Sequence, residues 1–258
     1  MDGRAWTMIL WSAIGLGIFT TFLLPAPPAA IAQSGTIGQA IVGDHDQKTR
    51  EVSTDQIRRV LADGSAVVID ARTHSEYAAG HIPGAVNFDV PPDRVVAAIE
   101  RLLNGDKGRA LVLYCNGPYC QASRRLGERL VAAGFTHVRR YQLGMPVWRA
   151  LGGPTEVELE GVVRIYHNDR TAVFFDARSP EEFAKGSLPG ALNVPADRLP
   201  SGALDTAPLP LDDFNTRIVL FGRDAAQARA LADALSRRPW HNVAYYPGRF
   251  ETLREALK

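Results

Sequence analysis

The sequence predicts an α/β fold made twice: two tandem domains, each a mostly parallel sheet flanked by helices on both faces. Three observations carry this. Short apolar runs rich in β-branched residues, at 66–70, 111–114, 173–176 and 218–221, alternate with helical stretches. They are too short for helices and too continuously apolar for strands with one wet face, so they read as buried parallel strands. The string Asp70-Ala71-Arg72 through Asn87 returns as Asp176-Ala177-Arg178 through Asn193, with ten of eighteen positions identical and no gap. Finally, 258 residues, 46% of them apolar, suit two domains of about 100 residues, each able to bury a modest core.

Taken in order, the chain opens with Arg4 ahead of an uncharged apolar run over 5–24, then a Pro-rich stretch and Ala30-Ile31-Ala32. A charged start, an apolar middle and a small-x-small site make 1–32 a secretory signal peptide, cleaved after Ala32. The apolar run is also long enough to span a bilayer, so an N-terminal membrane anchor is the second reading. Both readings export the rest of the chain to the periplasm or another extracytoplasmic space. Residues 33–45 are Gly-rich and polar, a linker. The first domain, 46–153, begins with Ser53-Thr54-Asp55-Gln56, a capping box that opens a helix through Leu61, with Gly64 near its end. After the strand at 66–70, Thr73-His74-Ser75-Glu76 is a second capping box, and Gly80 closes its short helix. Pro83-Gly84 turns the chain, a helix runs over 93–103, and Gly105 and Gly108 break it. The strand at 111–114 is followed by a helix over 123–133 ending at Gly134. Gly152-Gly153-Pro154 is the seam. In the second domain, 154–258, Ser179-Pro180-Glu181-Glu182 is again a capping box, with Pro where its missing N–H costs nothing. Strands at 173–176 and 218–221 and a helix over 224–238 complete the pattern.

A net charge of +1 provides no field that would favour nucleic acid or an anionic surface. The chain has two cysteines, Cys115 and Cys120. In an oxidising compartment a lone pair reads as a disulfide. Cys115, however, ends a parallel strand, where sheets of this class bind ligands. The loop after it must curl over the N-terminus of the next helix, whose free N–H groups and dipole favour a sulfur anion. That placement is expected to lower the thiol from its ordinary value of roughly 8.5. Arg124 and Arg125 add charge to the same turn.

For Cys115 the readings are a nucleophile, an inert buried thiol, or half of a disulfide; the strand end favours the nucleophile. Cys120 reads as an accessory or structural thiol. Asp70, Arg72 and Glu76 recur as Asp176, Arg178 and Glu182 in the copy where Gly222 stands in place of Cys115. What the copy without the thiol keeps is assigned to fold, as an ion pair and a cap. His81, replaced by Ser187, is expected to be a surface or capping histidine, with a site role left open. Trp148 is expected in the core. Phosphate transfer needs an Arg to clamp phosphoryl oxygens after a Cys-x₅ spacing, and position 121 is Gln. Two cysteines without a nearby histidine are too few for zinc, so no metal and no cofactor are expected.

Asp70-x-Arg72, Glu76-Tyr77, Gly80-His81-Ile82-Pro83-Gly84-Ala85 and a strand ending at Cys115 resemble the rhodanese family of sulfurtransferases, in two tandem copies. The resemblance implies that Cys115 takes sulfane sulfur from a small donor such as thiosulfate, releasing sulfite. The resulting persulfide then passes sulfur to cyanide or a thiol. It implies that Asn116, Gly117, Tyr119, Cys120 and Gln121, with Ser123 and Arg124 at the helix start, bind the substrate. The chain departs from the family pattern in three ways. The common six-residue Cys-x-x-Gly-x-Arg loop is replaced by a longer loop with no Arg or Lys inside it. The cysteine sits in the N-terminal copy. Cys120 is an additional thiol, able either to resolve a persulfide or to lock the resting site as a disulfide. In the second copy the path from Gly222 to Leu231 is nine steps, against eleven from Cys115 to Leu126, so that copy is read as structural. Other expected partners are a redox protein and, through 5–24, a membrane. The alternative functions are a non-catalytic sulfur-carrier or interaction module, and a Cys115/Cys120 thiol-disulfide redox protein.

Overall fold

The computed structural model describes residues 48–258; the expected signal segment, 1–32, and linker, 33–45, lie outside the described residues. The chain runs β1 (Arg50–Glu51), α1 (Thr54–Asp63), β2 (Val67–Asp70), α2 (His74–Ala78), α3 (Val95–Leu102), β3 (Leu111–Tyr114), α4 (Ala122–Ala132), β4 (Val138–Tyr141) and α5 (Gly144–Ala150). It then repeats as β5 (Thr155–Glu156), α6 (Leu159–Asn168), β6 (Val173–Asp176), α7 (Pro180–Ala184), β7 (Leu192–Asn193), β8 (Ile218–Gly222), α8 (Ala225–Leu235), β9 (Val243–Arg249) and α9 (Phe250–Ala256). Short 3₁₀ turns over Ala196–Ser201 and Ala203–Asp205 stand where the first copy has α3.

The strands form two parallel sheets, ordered β1-β4-β3-β2 and β5-β9-β8-β6-β7. Each strand alternates its apolar side chains between two covered faces, as a parallel sheet requires. In the first sheet Val68, Val112 and Tyr114 pack with Ile57 and Val60 of α1 and Met145 and Trp148 of α5. Ile69, Leu111 and Leu113 pack on the other face with Ile99 of α3 and Leu126 and Leu130 of α4. The second sheet repeats this, with Ile218 and Leu220 against α8 and Val219 and Phe221 against α6 and α9.

The three capping boxes form as their sequences dictate: Ser53 with Gln56, Thr73 with Glu76, and Ser179 with Glu182. Gly64 closes α1 in the left-handed conformation at φ +63°. Some boundaries shift: α3 starts at Val95 rather than 93, and α4 starts at Ala122. Strands β1, β4, β5, β7 and β9 and helices α5, α6 and α9 have no counterpart in the sequence reading. Strand β4 reads Val138-Arg139-Arg140-Tyr141, and its buried Arg140 is compensated from a distance, 3.9 Å from Glu51 on β1. Among the described residues no helix is long and apolar enough to cross a membrane.

His81 is not a surface histidine; it is 2% exposed and fastens the two sheets together. Its backbone exchanges both hydrogen bonds with Glu156 of β5, at 2.9 Å each, as an antiparallel bridge. Its ring stacks on Tyr77 at 3.7 Å, and its Nε2 lies 3.8 Å from Glu156 Oε1. The chain leaving α2 passes directly beside β5, so a residue that looked terminal locally is buried by the neighbouring domain. Nearby, Glu158 N–H donates to Ala78 O, and Arg164 donates to Ser75 Oγ and O.

Candidate functional site

Cys115 follows β3 at the carboxyl edge of the first sheet. Tyr114, the last strand residue, pairs with Asp70 on one side and Tyr141 on the other. Gly222 is one step past Phe221, which pairs with Asp176, so the two positions are structural equivalents. Beyond them the copies part. Helix α4 begins seven residues after Cys115, whereas α8 begins three residues after Gly222. The extra chain in the first copy forms the loop.

That loop is held from three sides. Asn116 Nδ2 donates to Glu76 Oε1 at 2.6 Å, while Glu76 Oε2 accepts from Thr73 N–H and Oγ1 in the capping box of α2. Burial opposes ionisation of Glu76, yet the bonds from Thr73 and Asn116 outweigh it and hold the carboxyl below its ordinary value. Gly117 turns at φ +100°, and Cys120 N–H closes the turn onto Gly117 O at 3.0 Å. From below, Met145 N–H donates to Cys115 O at 3.1 Å. Gly144, at φ +59°, allows this approach: a Cβ there would lie 2.2 Å from Cys115 O and 2.5 Å from Gly117 N. Gly144 and Met145 were missed from sequence. Their only local signal is a glycine that opens a short helix.

Cys115 is 2% exposed. Its S–H donates to Cys120 O at 3.2 Å, and it lies 3.3 Å from the buried Ser123 Oγ in the first turn of α4. The helix end therefore does reach the sulfur, but it does not set its acidity. Burial, then the Cys120 side chain, push the thiol up to about 11, against opposing hydrogen bonds from the Ser123 hydroxyl and N–H. This corrects the expectation of a lowered value: closing the loop removes water from the thiolate faster than one helix turn replaces it. Both cysteines are thiols in this structure.

The remaining expected site residues divide. Asn116, Tyr119 and Gln121 are exposed around the loop, with Tyr119 56% exposed; Gln121 occupies the N-cap of α4 without a capping bond from its side chain. Arg124 lies along α4, its Nε 3.1 Å from Glu128 Oε1. Arg125 lines a cavity of about 610 Å³ with Asp70, Arg72, Asn87, Ala122 and Arg129, beside the loop rather than over the sulfur. A second cleft, of about 1310 Å³, lies at the opposite ends of the strands, between residues such as Val67 and Arg109 and residues such as Arg229 and Arg238. It is a domain cleft, separate from the thiol.

Asp70 and Arg72 form a buried pair, with Arg72 Nη2 2.6 Å from Asp70 Oδ2 and 2.8 Å from Gly80 O. Asp176 and Arg178 repeat this to the same distances, 2.6 Å and 2.8 Å to Gly186 O. Asn87 and Asn193 each brace the pair's backbone with two bonds of 2.9 Å. An arrangement so closely duplicated around an empty strand end belongs to the fold. Ser187 donates to Asp176 Oδ2 at 2.6 Å, a local role in place of the one His81 plays at the seam. Trp148 is buried in the core, its Nε1–H donating to Pro154 O. His74 Nε2 lies 3.5 Å from carboxylate oxygens of both Glu158 and Glu160 at the seam; these are donors of a kind that hold a divalent ion, and here they join the two domains.

The family described as the rhodanese-like domain matches residues 53–151 and again 162–256. An HTH-type transcriptional regulator of Mycobacterium tuberculosis is 37% identical across 36% of this chain and 38% of its own. SseB of the same species, named provisionally as a thiosulfate sulfurtransferase, is 30% identical across 48% of this chain and 59% of its own. The chain thus spans less than two thirds of both relatives. The thiosulfate sulfurtransferase GlpE of Pseudomonas entomophila is 33% identical across 39% of this chain and 85% of its own. Among solved structures, a thiosulfate sulfurtransferase from Pseudomonas aeruginosa is 19% identical over 80% of this chain and 42% of that one, with a TM-score of 0.37.

Proposed function

The chain belongs to the rhodanese-like family, and from that premise we propose that it is a sulfurtransferase working through a persulfide on Cys115. A sulfane donor such as thiosulfate is attacked by the Cys115 thiolate, its outer sulfur is transferred, and sulfite leaves. The persulfide then gives its sulfur to a thiol or to cyanide. The observation that carries the reading is the contrast between equivalent strand ends: Cys115 lies in a loop closed on Ser123 of α4, and Gly222 has neither the sulfur nor the loop. The second domain is proposed as structural support, joined through His81 and Glu156.

The loop favours donors of low charge. It carries no Arg or Lys between Cys115 and Ala122, and its Asn116 amide is bound to the Glu76 carboxylate. In the second copy the equivalent residue is Arg223, 3.7 Å from Glu182. Between Cys115 and Ala122 a dianion such as thiosulfate meets no cationic side chain. The supporting residues Asn116, Gly117, Tyr119, Gln121, Ser123 and Arg124 are proposed to form the rim and floor that the donor meets. Export by the 1–32 segment is part of the same proposal, to be read by fractionating the cell envelope.

The test is intact-mass analysis of the reduced Cys120→Ser chain after incubation with thiosulfate and, separately, an inorganic polysulfide. A gain of one sulfur, mapped to Cys115 and lost on adding cyanide, is expected. Cys115→Ser abolishes it. No adduct with either donor would refute the enzyme and leave the interaction module.

A further inference from the structure

The proposed transfer uses one sulfur, and the loop holds two. Cys115 donates to the carbonyl of Cys120 itself at 3.2 Å, which places the Cys120 Cα within roughly 6 Å of the Cys115 sulfur. The two cysteines therefore share one closed turn, and movement within the loop alone can bring their sulfurs to the roughly 2 Å of a disulfide. The turn that Cys120 N–H closes onto Gly117 O keeps it there. The Cys120 side chain is near enough to raise the proton affinity of Cys115 by hydrogen bond and by charge. Cys115 is almost fully buried whereas Cys120 is partly open to solvent. An outside thiol would have to penetrate the loop to reach the inner sulfur of a persulfide, and Cys120 is already inside it.

We infer that Cys120 is the resolving thiol of this site, the first acceptor that a Cys115 persulfide meets. The inference rests on the persulfide reading above. The Cys120 thiolate attacks Sγ of persulfidated Cys115. A bond forms between the two cysteine sulfurs, and the bond from Sγ to the outer sulfur breaks. The electron pair leaves on the outer sulfur, which takes up the proton Cys120 gave up and departs as hydrosulfide. The sulfane sulfur is reduced by two electrons and the two cysteines are oxidised to a disulfide. A dithiol, small or carried by a protein, then restores both thiols by exchange and becomes a disulfide itself. The net reaction converts sulfane sulfur and a dithiol into sulfide and a disulfide, with cyanide unnecessary. Holding both sulfurs in one loop makes the resolving step intramolecular, the arrangement that gives high effective concentration.

The experiment is a single turnover under anaerobic conditions. The reduced chain receives one equivalent of thiosulfate, or of inorganic polysulfide, without other reductant. Released sulfide is measured and the 115–120 segment is mapped by mass. Wild type is expected to release about one sulfide per chain and to end as the Cys115–Cys120 disulfide, which dithiothreitol reverses. Cys120→Ser and, as a second variant, Cys120→Ala are expected to keep the extra sulfur on Cys115, with sulfide release slowed about a hundredfold until dithiothreitol is added. A wild-type chain that keeps the extra sulfur on Cys115 while Cys120 stays a thiol overturns the inference and leaves the persulfide reading standing. Absence of both the adduct and the disulfide, in wild type and variants alike, overturns both.

Discussion

Cys115 and Gly222 occupy the same register position in two sheets of one design, yet a side chain at 222 would have to displace Gln227 and crowd the start of α8. A Cβ on Gly222 would lie 2.9 Å from Gln227 Oε1 and 3.2 Å from Ala228 N. Helix α8 starts so early that its first turn occupies the volume that the loop of the first copy leaves for a sulfur.

Gly222→Cys is therefore expected to create no second sulfur-accepting thiol. In a Cys115→Ser background the new cysteine should gain no sulfur from polysulfide. The variant should also lose about 1–3 kcal/mol of stability through overpacking, read by urea unfolding. An adduct at position 222 would show that helix length does not decide the silence of this copy.

The Cys115 thiol, pushed up to about 11, is scarce as thiolate at neutral pH, and its ionised fraction grows as pH rises. Alkylation at Cys115 by iodoacetamide, resolved from Cys120 by fragment mass, should accelerate about tenfold per pH unit between about pH 7 and 10. A plateau reached below about pH 8 would mean that the helix end activates the sulfur after all.

Asp70→Ala and Asp176→Ala each strand a buried guanidinium, so each should cost about 3–5 kcal/mol. Asp176 also holds Ser187, whose hydroxyl would lose its partner, so the second variant should be worse by about 1 kcal/mol. Chemical denaturation of the two variants measures both the size and the order. A small loss at Asp70 alone would show that its pair with Arg72 does not hold the fold.

Gly161, near the start of α6, lies against the end of α2: a Cβ there would stand 1.9 Å from Ala78 O. Because the obstacle is backbone, Gly161→Ala should push the domains apart. Faster amide exchange is expected at His81 and Glu156, whose mutual bonds close the seam. Unchanged exchange at both would show that the seam tolerates the shift.

Much of this was legible in the sequence because it is local or duplicated. Capping boxes at Ser53, Thr73 and Ser179 define helix starts within four residues, and apolar runs such as Leu111–Tyr114 need no partner to be read as buried. The repeat sorted Asp70 and Arg72 into the fold, and the structure shows their pair drawn identically in both copies. Strand β4 escaped because its buried Arg140 is compensated by Glu51, far away in the chain. His81 was misplaced because its neighbour, Glu156, belongs to the other domain.

By itself the sequence determined the two-copy parallel α/β plan and the strand end that carries Cys115, since periodicity, caps and internal repetition act over a few residues. Only the tertiary structure decided the acidity of that thiol and the company it keeps. Whether a helix end or burial governs Cys115 depends on how tightly the loop closes, and Gly144 and Met145 close it from a different part of the chain. The same closure brings Cys120 to the sulfur, because solvent exclusion and proximity are properties of the folded loop and not of the order of its residues.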